Sequence, residues 1–203
     1  PGMRYKYSNN AFNILADVIA KASTMSFESY MKNFILAPTG MKNSTFMKPE
    51  VPDELATSPH ISLFGIKKVS KIYPYNRVHA GSGTLNSNVE DMIRYAITYL
   101  NRGTYEETEI FNDSTYKLIT TKQRTLDERR DIGLSWFISS SSWRQPKDRG
   151  RIGHSGGDRG YGCYLGILPE KSWAIITLYN CDWRKIGSDA IFDAGYELAS
   201  KYK

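Results

Sequence analysis

Two short segments of the sequence carry residues whose types and spacing suit acyl transfer. Near the carboxyl end the chain contains Gly153-His154-Ser155-Gly156-Gly157, and near its start it contains Tyr7-Ser8-Asn9. The first segment fits the Gly-x-Ser-x-Gly pattern of a nucleophile elbow, in which a serine attacks a carbonyl carbon. Taken alone, that pattern would make Ser155 the nucleophile.

The nucleophile-elbow interpretation lacks a general base. In α/β-hydrolases the serine lies on a strand–turn–helix, and an acid and then a histidine follow it along the chain. The only other histidines, His60 and His79, precede Ser155, and the residues after Gly157 have the pattern of a strand and a turn. An α/β-hydrolase that uses Ser155 is therefore the least favoured alternative.

Hydrophobic periodicity predicts the element that would hold the first segment. Apolar side chains recur with helical spacing through residues 10–22, and Ser8 or Asn9 suits the N-cap position. Tyr7 is therefore expected just ahead of a helix amino terminus.

The remaining elements are predicted in the same way. A helix is expected over Phe27–Leu36, a long one after a capping box of Ser87 and Glu90, and a short one from Asn112. Residues 48–78 are expected to be loop with short irregular pieces, and Lys122–Asp131 a charged connection. Strands are predicted at Leu134–Ser139, Arg151–His154, Tyr161–Leu168 and Trp173–Asn180, before a last helix over Ser188–Tyr202.

This order of elements predicts the fold class. Helices followed by an antiparallel meander indicate an α+β protein, and 203 residues suit one domain or most of one. We expect residues 1–203 to form a single partial domain, with 1–130 mainly helical and 131–203 forming antiparallel strands and the carboxyl-terminal helix.

Composition excludes several classes of function. The net charge of +6 comes from scattered basic residues, and the clusters at Lys122–Arg130 and Arg144–Arg151 are diluted by acids, which favours a solvated surface over nucleic-acid binding. No apolar run has the length of a membrane span, and no metal-ligand spacing or cofactor motif is present. In the predicted hairpin Cys163 faces Leu178, which leaves Cys181 too far away for a disulfide, so both are expected to be free thiols.

In their order along the chain, these segments resemble the serine β-lactamase and penicillin-binding-protein superfamily, above all its class C and esterase-like branch. Tyr5 leads into Tyr7-Ser8-Asn9, and His154-Ser155-Gly156 follows far downstream, as in that branch. Each motif is weak alone, but together they cover nearly the whole chain. The other matches are Pro1-Gly2, the turn at Ile35–Met41 with Thr39 where leucine is usual, the glycine turn Ala80–Leu85 with Asp91-Met92, Gly133–Trp136, Pro169-Glu170 and Asn180.

The resemblance implies a β-lactamase/transpeptidase-like fold and a site built from three motifs: Ser-x-x-Lys at a helix start, Tyr-x-Asn, and Lys-Thr-Gly or His-x-Gly on an edge strand. Tyr7, Asn9 and His154 match the last two, with His154 in place of the more usual lysine. The first is unmatched, because Ser29–Lys32 and Ser114–Lys117 follow Tyr7, whereas the family nucleophile precedes it. We therefore expect the nucleophile and the amino-terminal part of the fold to lie outside this sequence.

Acyl transfer would give the matched residues specific tasks. A serine that attacks a carbonyl must lose its proton to a base within hydrogen-bond reach. A phenol ionises near pH ~10, so Tyr7 would serve as the base if its pKa were lowered by a nearby lysine, a protonated His154 or the helix amino terminus. Asn9 would orient that lysine and hold a substrate carbonyl. The plainer alternatives are that Tyr7 packs, that Asn9 caps a helix and that His154 is a structural residue of a strand.

Ser155, Gly156 and Gly157 are expected to line the place where substrate binds. Glycines let a substrate backbone approach a strand closely. The resemblance implies that the Gly157 N–H supplies half of an oxyanion hole, and removing such a donor costs about 3–4 kcal/mol.

The expected function is that of a cofactor-free serine hydrolase that acts through an acyl-enzyme on an ester, a β-lactam or a D-amino-acid peptide. The 203 residues alone are expected to be inactive. The alternative is a non-catalytic module that binds peptides or wall fragments. A dimer, or the preceding segment, would cover the sheet edge and apolar surface that the missing part leaves open. The resemblance implies a periplasmic or extracellular location, which the residues themselves leave open.

Overall fold

The computed structural model describes residues 4–139, 150–181, 193–195, 197–198 and 201. Its α-helices are α1 (Asn9–Ser23), α2 (Phe27–Met31), α3 (Val89–Leu100) and α4 (Asp113–Thr120), and a π-helical turn, Lys32–Leu36, continues α2. Its strands are β1 (His60–Leu63), β2 (Ile66–Val69), β3 (Thr104–Tyr105), β4 (Thr108–Glu109), β5 (Arg124–Thr125), β6 (Arg130–Ile132), β7 (Phe137–Ser139), β8 (Ile152–Asp158), β9 (Tyr161–Leu168) and β10 (Trp173–Tyr179). Short 3₁₀ turns occupy Lys48–Glu50, Asp53–Leu55, Arg77–His79 and Pro169–Lys171.

The central element is an antiparallel sheet in the order β10-β9-β8-β7-β6-β5. The β9–β10 hairpin has the predicted register, with Leu168 opposite Trp173 and Cys163 opposite Leu178. The chain therefore has the α+β architecture expected from its sequence, an antiparallel sheet packed with helices. Two small hairpins, β1–β2 and β3–β4, lie outside this sheet.

Helix α3 covers one face of the sheet and forms the main core with it. Its Ala96 and Tyr99 pack with Ile152 of β8 and with Leu165 and Ile167 of β9, all of them buried. The hydrophobic effect thus joins β8 and β9 to the apolar face that the sequence predicts for α3.

A buried carboxylate fixes the start of α3 against the turn that follows Met41. Asp91 is fully buried. Its carboxylate accepts hydrogen bonds from the Asn43 N–H (2.8 Å) and the Ser44 hydroxyl (2.8 Å), and it forms an ion pair with Arg94 (3.1 Å). Because a buried charge requires such partners, Asp91 ties the turn after Met41 to α3.

The predicted capping box of α3 is wrong by one residue. The cap is Asn88, whose side-chain oxygen accepts from the Asp91 N–H at 2.8 Å. Ser87 instead pairs its hydroxyl with that of Ser44 at 2.7 Å. Tertiary contact between the two serines therefore takes Ser87 away from the capping role that its sequence position suggests.

Three strand pairs were not predicted from the sequence. The β1–β2 hairpin falls within residues 48–78, which were expected to be loop, and β3 and β4 pair after α3. Strand β5 lies within the expected charged connection Lys122–Asp131, and β6 begins there and ends at Ile132. Strands of two to four residues are too short to show a period of two. The predicted last helix, Ser188–Tyr202, lies mostly outside the described residues, of which 193–195 and 197–198 are helical.

Candidate active site

Strand β8 carries the predicted His154–Gly157 segment where its pairing with one neighbouring strand ends. On one side β9 pairs with the whole of β8, from Ile152 to Asp158. On the other side, among the described residues, β7 pairs only through Phe137 with Gly153 and Ile138 with Ile152. From His154 onward that edge of β8 has no strand partner in the described part of the chain, and such an edge can accept an extended peptide.

Helix α1 brings Tyr7 to this edge. Ser8 is its N-cap and accepts from the Ala11 N–H at 3.2 Å, and Asn9 is the first helical residue. The Tyr7 ring lies 6.3 Å from the His154 ring, centroid to centroid, with an angle of 31° between the planes. Two residues 147 positions apart in the sequence therefore meet at one place, and Tyr7 remains 55% exposed there.

One hydrogen bond fixes which nitrogen of His154 is available. Its Nδ1 lies 2.6 Å from the Ser155 carbonyl oxygen. A carbonyl only accepts hydrogen bonds, so Nδ1 carries a proton and donates it. In the neutral imidazole Nε2 is then an acceptor, and in the imidazolium it is a second donor.

A group of side chains that was not predicted from the sequence lies next to His154. The Phe137 ring lies 5.3 Å from the His154 ring, centroid to centroid, and the Arg130 guanidinium lies 5.9 Å from the Phe137 centroid. Asp127 holds Arg130 through an ion pair of 2.7 Å, and this contact lowers the pKa of the Asp127 carboxyl. These residues line a cleft of about 650 Å³ that also includes His154 and Ser155.

The missed group left little signal in the sequence. Asp127 and Arg130 belong to the charged stretch that was interpreted as a solvated connection, and Phe137 belongs to a three-residue strand. Tyr5 is electrostatically coupled to the same group: burial, and then the neighbouring Tyr7, raise the pKa of its phenol, while Arg130 opposes that rise.

The glycines of β8 are explained in part by packing. A Cβ on Gly156 would lie 2.6 Å from the Cys163 sulfur, so the thiol occupies the space that a side chain would need. Burial raises the pKa of the Cys163 thiol, and both Cys163 and Cys181 are free cysteines. Gly156 thus accommodates its cross-strand neighbour, a role that the sequence did not reveal.

The position of Ser155 argues against the nucleophile elbow. Ser155 lies in the middle of β8, and a tight turn into β9 follows that strand. The strand–turn–helix that would project a serine from a sharp turn is therefore not formed around Ser155.

The two Ser-x-x-Lys tetrapeptides make other interactions. The Ser29 hydroxyl lies 2.9 Å from that of Ser26, which caps α2. On α4, Ser114 donates to Asn112 at 2.7 Å, and Lys117 pairs with Asp113 at 2.7 Å. Both tetrapeptides act as ordinary helix termini.

A glycine turn positions α1 and hence Tyr7. A Cβ on Gly81 would lie 2.2 Å from the Phe12 carbonyl oxygen and 2.9 Å from the Ala16 methyl group. Next to this contact the Asn13 amide lies 3.2 Å from His79 Nδ1. The turn therefore lies directly on the helix backbone, which explains why a glycine stands at this position.

Within the described residues, no three or more His, Cys, Asp or Glu side chains are grouped so that they could hold a metal ion. In the same part of the chain, every helix is too short or too polar to cross a bilayer.

Comparisons with known proteins identify the family to which the chain belongs. A family model described as Beta-lactamase matches residues 1–191. The chain is 28% identical to the D-alanyl-D-alanine-carboxypeptidase/endopeptidase AmpH of Escherichia coli K12, over 98% of the chain and 52% of the relative. It is 25% identical to penicillin-binding protein 4* of Bacillus subtilis, over 89% of the chain and 40% of the relative.

A solved structure has a similar fold. The octameric penicillin-binding protein homologue from Pyrococcus abyssi matches with a TM-score of 0.81 and 26% identity, over 98% of this chain and 43% of that one. The chain spans about half the length of the curated relatives that it matches.

Proposed function

Because the chain belongs to the Beta-lactamase family, we propose that Tyr7, His154 and the cleft beside them form one side of the acyl-transfer site of a serine hydrolase. The observation that supports this most directly is the 6.3 Å separation between the two ring centroids, because the two residues are 147 positions apart in the sequence. They meet beside the unpaired edge of β8, where an extended substrate can lie.

The proposed reaction moves one proton through Tyr7. A serine Oγ bonds to the substrate carbonyl carbon while its proton passes to the Tyr7 phenolate. The tetrahedral intermediate then collapses, and the leaving group departs with that proton, which leaves an acyl-enzyme. Water repeats the two steps and releases the acid. Through Nε2, His154 would hydrogen-bond Tyr7 or the substrate, and as an imidazolium it would donate to the phenolate.

The nucleophile is proposed to come from residues beyond these 203. Both Ser-x-x-Lys tetrapeptides are engaged at helix termini, and the chain corresponds to about half of its relatives' length. In the complete site, Asn9 would orient the missing lysine, and the Gly157 N–H would donate to the oxyanion.

Among the three substrate classes that the sequence left open, a peptide that ends in D-alanine is favoured. The Escherichia coli relative is named a D-alanyl-D-alanine carboxypeptidase and endopeptidase. The unpaired edge of β8 suits such a peptide, because main-chain hydrogen bonds can extend the sheet.

A fluorescent penicillin tests the proposal on the complete protein, with D-alanine release from a peptide as the second measurement. We expect label on a serine that precedes Tyr7. Label on Ser155 would restore the nucleophile elbow, and peptide binding without label or turnover would favour the non-catalytic module.

Substitution of Tyr7 tests its role as base. Tyr7→Phe in the complete protein should lower kcat by about 10²-fold or more, the scale of a lost general base. Tyr5→Phe is the matched control, since it removes a neighbouring phenol that makes no proton transfer. Equal rates for the two variants would remove Tyr7 from the mechanism.

Two substitutions of His154 separate charge from packing. His154→Lys keeps a donor and a positive charge beside Tyr7, so it should keep more activity than His154→Ala. If both variants lose activity equally, the ring stack with Phe137 matters more than the charge.

A further inference from the structure

The β1–β2 hairpin displays apolar and basic side chains to solvent, and no element among the described residues covers them. All residues from Phe64 to Val69 are exposed. Phe64 at the tip is 96% exposed, and Ile66, Val69 and Ile72 are between 57% and 60% exposed. Singly exposed apolar residues are common, but several of them on one short hairpin form a candidate interaction surface.

The turn at the tip of the hairpin adds backbone strain to the unfavourable exposure of the apolar side chains. Phe64 and Gly65 both have positive φ, 49° and 81°, as in a type I′ turn. Asn, Asp or Gly normally occupies the first of these positions, and a bulky residue there is strained. Phe64 is therefore unfavourable both for the backbone and for contact with water, and such a local cost often marks a functional position.

The base of the hairpin is held firmly by the end of the main sheet. The His60 N–H donates to the Asn180 carbonyl at 3.0 Å, and the Ser70 N–H donates to the Pro59 carbonyl at 2.7 Å. The Asn180 side chain donates to the Ser58 carbonyl at 3.0 Å. The tip thus projects from a fixed support beside the turn that follows β8.

Along its own stretch of sequence, the hairpin carries charge of one sign. Between Glu54 and Glu90 the sequence contains no Asp or Glu, whereas Lys67, Lys68 and Lys71 lie on the hairpin or directly after it. All three are exposed, and none forms an ion pair with a described residue.

We propose that the β1–β2 hairpin docks this protein on an anionic lipid surface. A projecting aromatic tip can enter the boundary between headgroups and acyl chains, where the phenyl ring leaves water. The lysines behind the tip then lie at the level of the lipid phosphates, to which each adds an attraction of about five-fold in affinity. The tip is convex, which suits a soft bilayer better than a flat protein interface. This inference goes beyond the proposed function and does not depend on it.

Vesicle co-sedimentation tests the proposal. The probe is phosphatidylcholine vesicles with about a third phosphatidylglycerol, beside vesicles of pure phosphatidylcholine. We expect binding to the anionic vesicles only, and release at high salt because the charges are screened. Phe64→Ser should weaken binding about ten-fold, since a partly buried phenyl ring is lost. The double variant Lys67→Ala/Lys68→Ala should weaken it about 25-fold.

Matched controls keep the test specific. The double variant Lys21→Ala/Lys117→Ala removes the same charge from exposed sites on α1 and α4 and should bind like the wild type. Phe64→Trp should restore binding that Phe64→Ser loses. Three results would overturn the proposal: equal binding of the hairpin variants and the wild type, no binding of the wild type to anionic vesicles, or a dimer of the protein in solution. The dimer would be seen by light scattering without lipid, and Phe64→Ser would abolish it. Penicillin labelling should be the same in all these variants.

Discussion

Helices α1 and α3 have the same kind of amphipathic sequence but opposite environments. In α3, Ala96, Thr98 and Tyr99 are buried against the sheet and its neighbours. In α1 only Ala16 is buried, while Ile14, Leu15 and Val18 are more than half exposed. A helical stripe therefore predicts that a face is apolar, but it does not tell which element will cover that face.

The comparison bears directly on the proposed site. His154 lies on a strand whose neighbours form the main core, whereas Tyr7 precedes a helix that is held mainly through α2 and the turn at Gly81. The proposed base thus precedes the helix that has the weaker support. Variants that act on each helix separately test this difference.

The largest expected difference concerns the buried aromatic cluster. Tyr99 on α3 packs against Trp136 at 5.1 Å and Phe111 at 5.3 Å between ring centroids. Tyr99→Ala should lower the free energy of unfolding by about 3–5 kcal/mol, as for other buried aromatics. Leu15→Ala on α1 should change it by less than about 0.5 kcal/mol, because the side chain is exposed and alanine favours helix. Urea denaturation measures both, and similar losses would contradict the comparison.

The contact between α1 and the glycine turn should be the next most sensitive. Gly81→Ala places a methyl group against the backbone of Phe12, and overpacking of this kind costs about 1–3 kcal/mol. Gly83→Ala is the control, because its Cβ would meet nothing closer than 3.9 Å. In the complete protein Gly81→Ala should also lower kcat more than Gly83→Ala does, since α1 carries Tyr7 with it.

Alkaline pH should lower the stability of the folded state through a buried phenol of α3. Burial, and then the neighbouring Tyr99, raise the pKa of the Tyr95 phenol well above its ordinary value. The folded state therefore keeps a proton that the unfolded state loses near pH ~10. The stability from this neutral phenol is full below that pH and falls above it, by up to about 1.4 kcal/mol per pH unit. Tyr95→Phe should reduce this loss of stability with pH. Urea denaturation between about pH 9 and 11, ~1 unit either side of the pKa of a free phenol, would detect the change.

The smallest effects should come from the two N-caps. Asn88→Ala removes the cap of α3 and should cost about 1 kcal/mol of global stability. Ser8→Ala removes the cap of α1 but should mainly increase local fraying, because that helix adds little to the core. Amide hydrogen exchange distinguishes these results: faster exchange confined to α1 is expected for Ser8→Ala, and a global loss would contradict it.

Long periodic segments were the part of the fold that the sequence predicted well. Helices α1, α3 and α4 and the β9–β10 hairpin follow from apolar spacing, caps and turn residues, which act over a few positions. The short strands β5 and β6 were missed, since their pairing depends on neighbours in the sheet rather than on a repeat of their own. The same limit hid Phe137, Arg130 and Asp127, whose place in the cleft depends on those strands.

For the candidate site, the sequence by itself determined which residues have suitable chemistry and which lie at a helix start or on a strand: Tyr7, Asn9 and His154–Gly157. Only the tertiary structure decided that Tyr7 and His154 are neighbours, that Nε2 is the available nitrogen of His154, and that Gly156 accommodates Cys163. The physical reason is that residue type and local periodicity are properties of neighbouring positions. Contacts between distant segments instead follow from how the sheet pairs and which helix faces it buries.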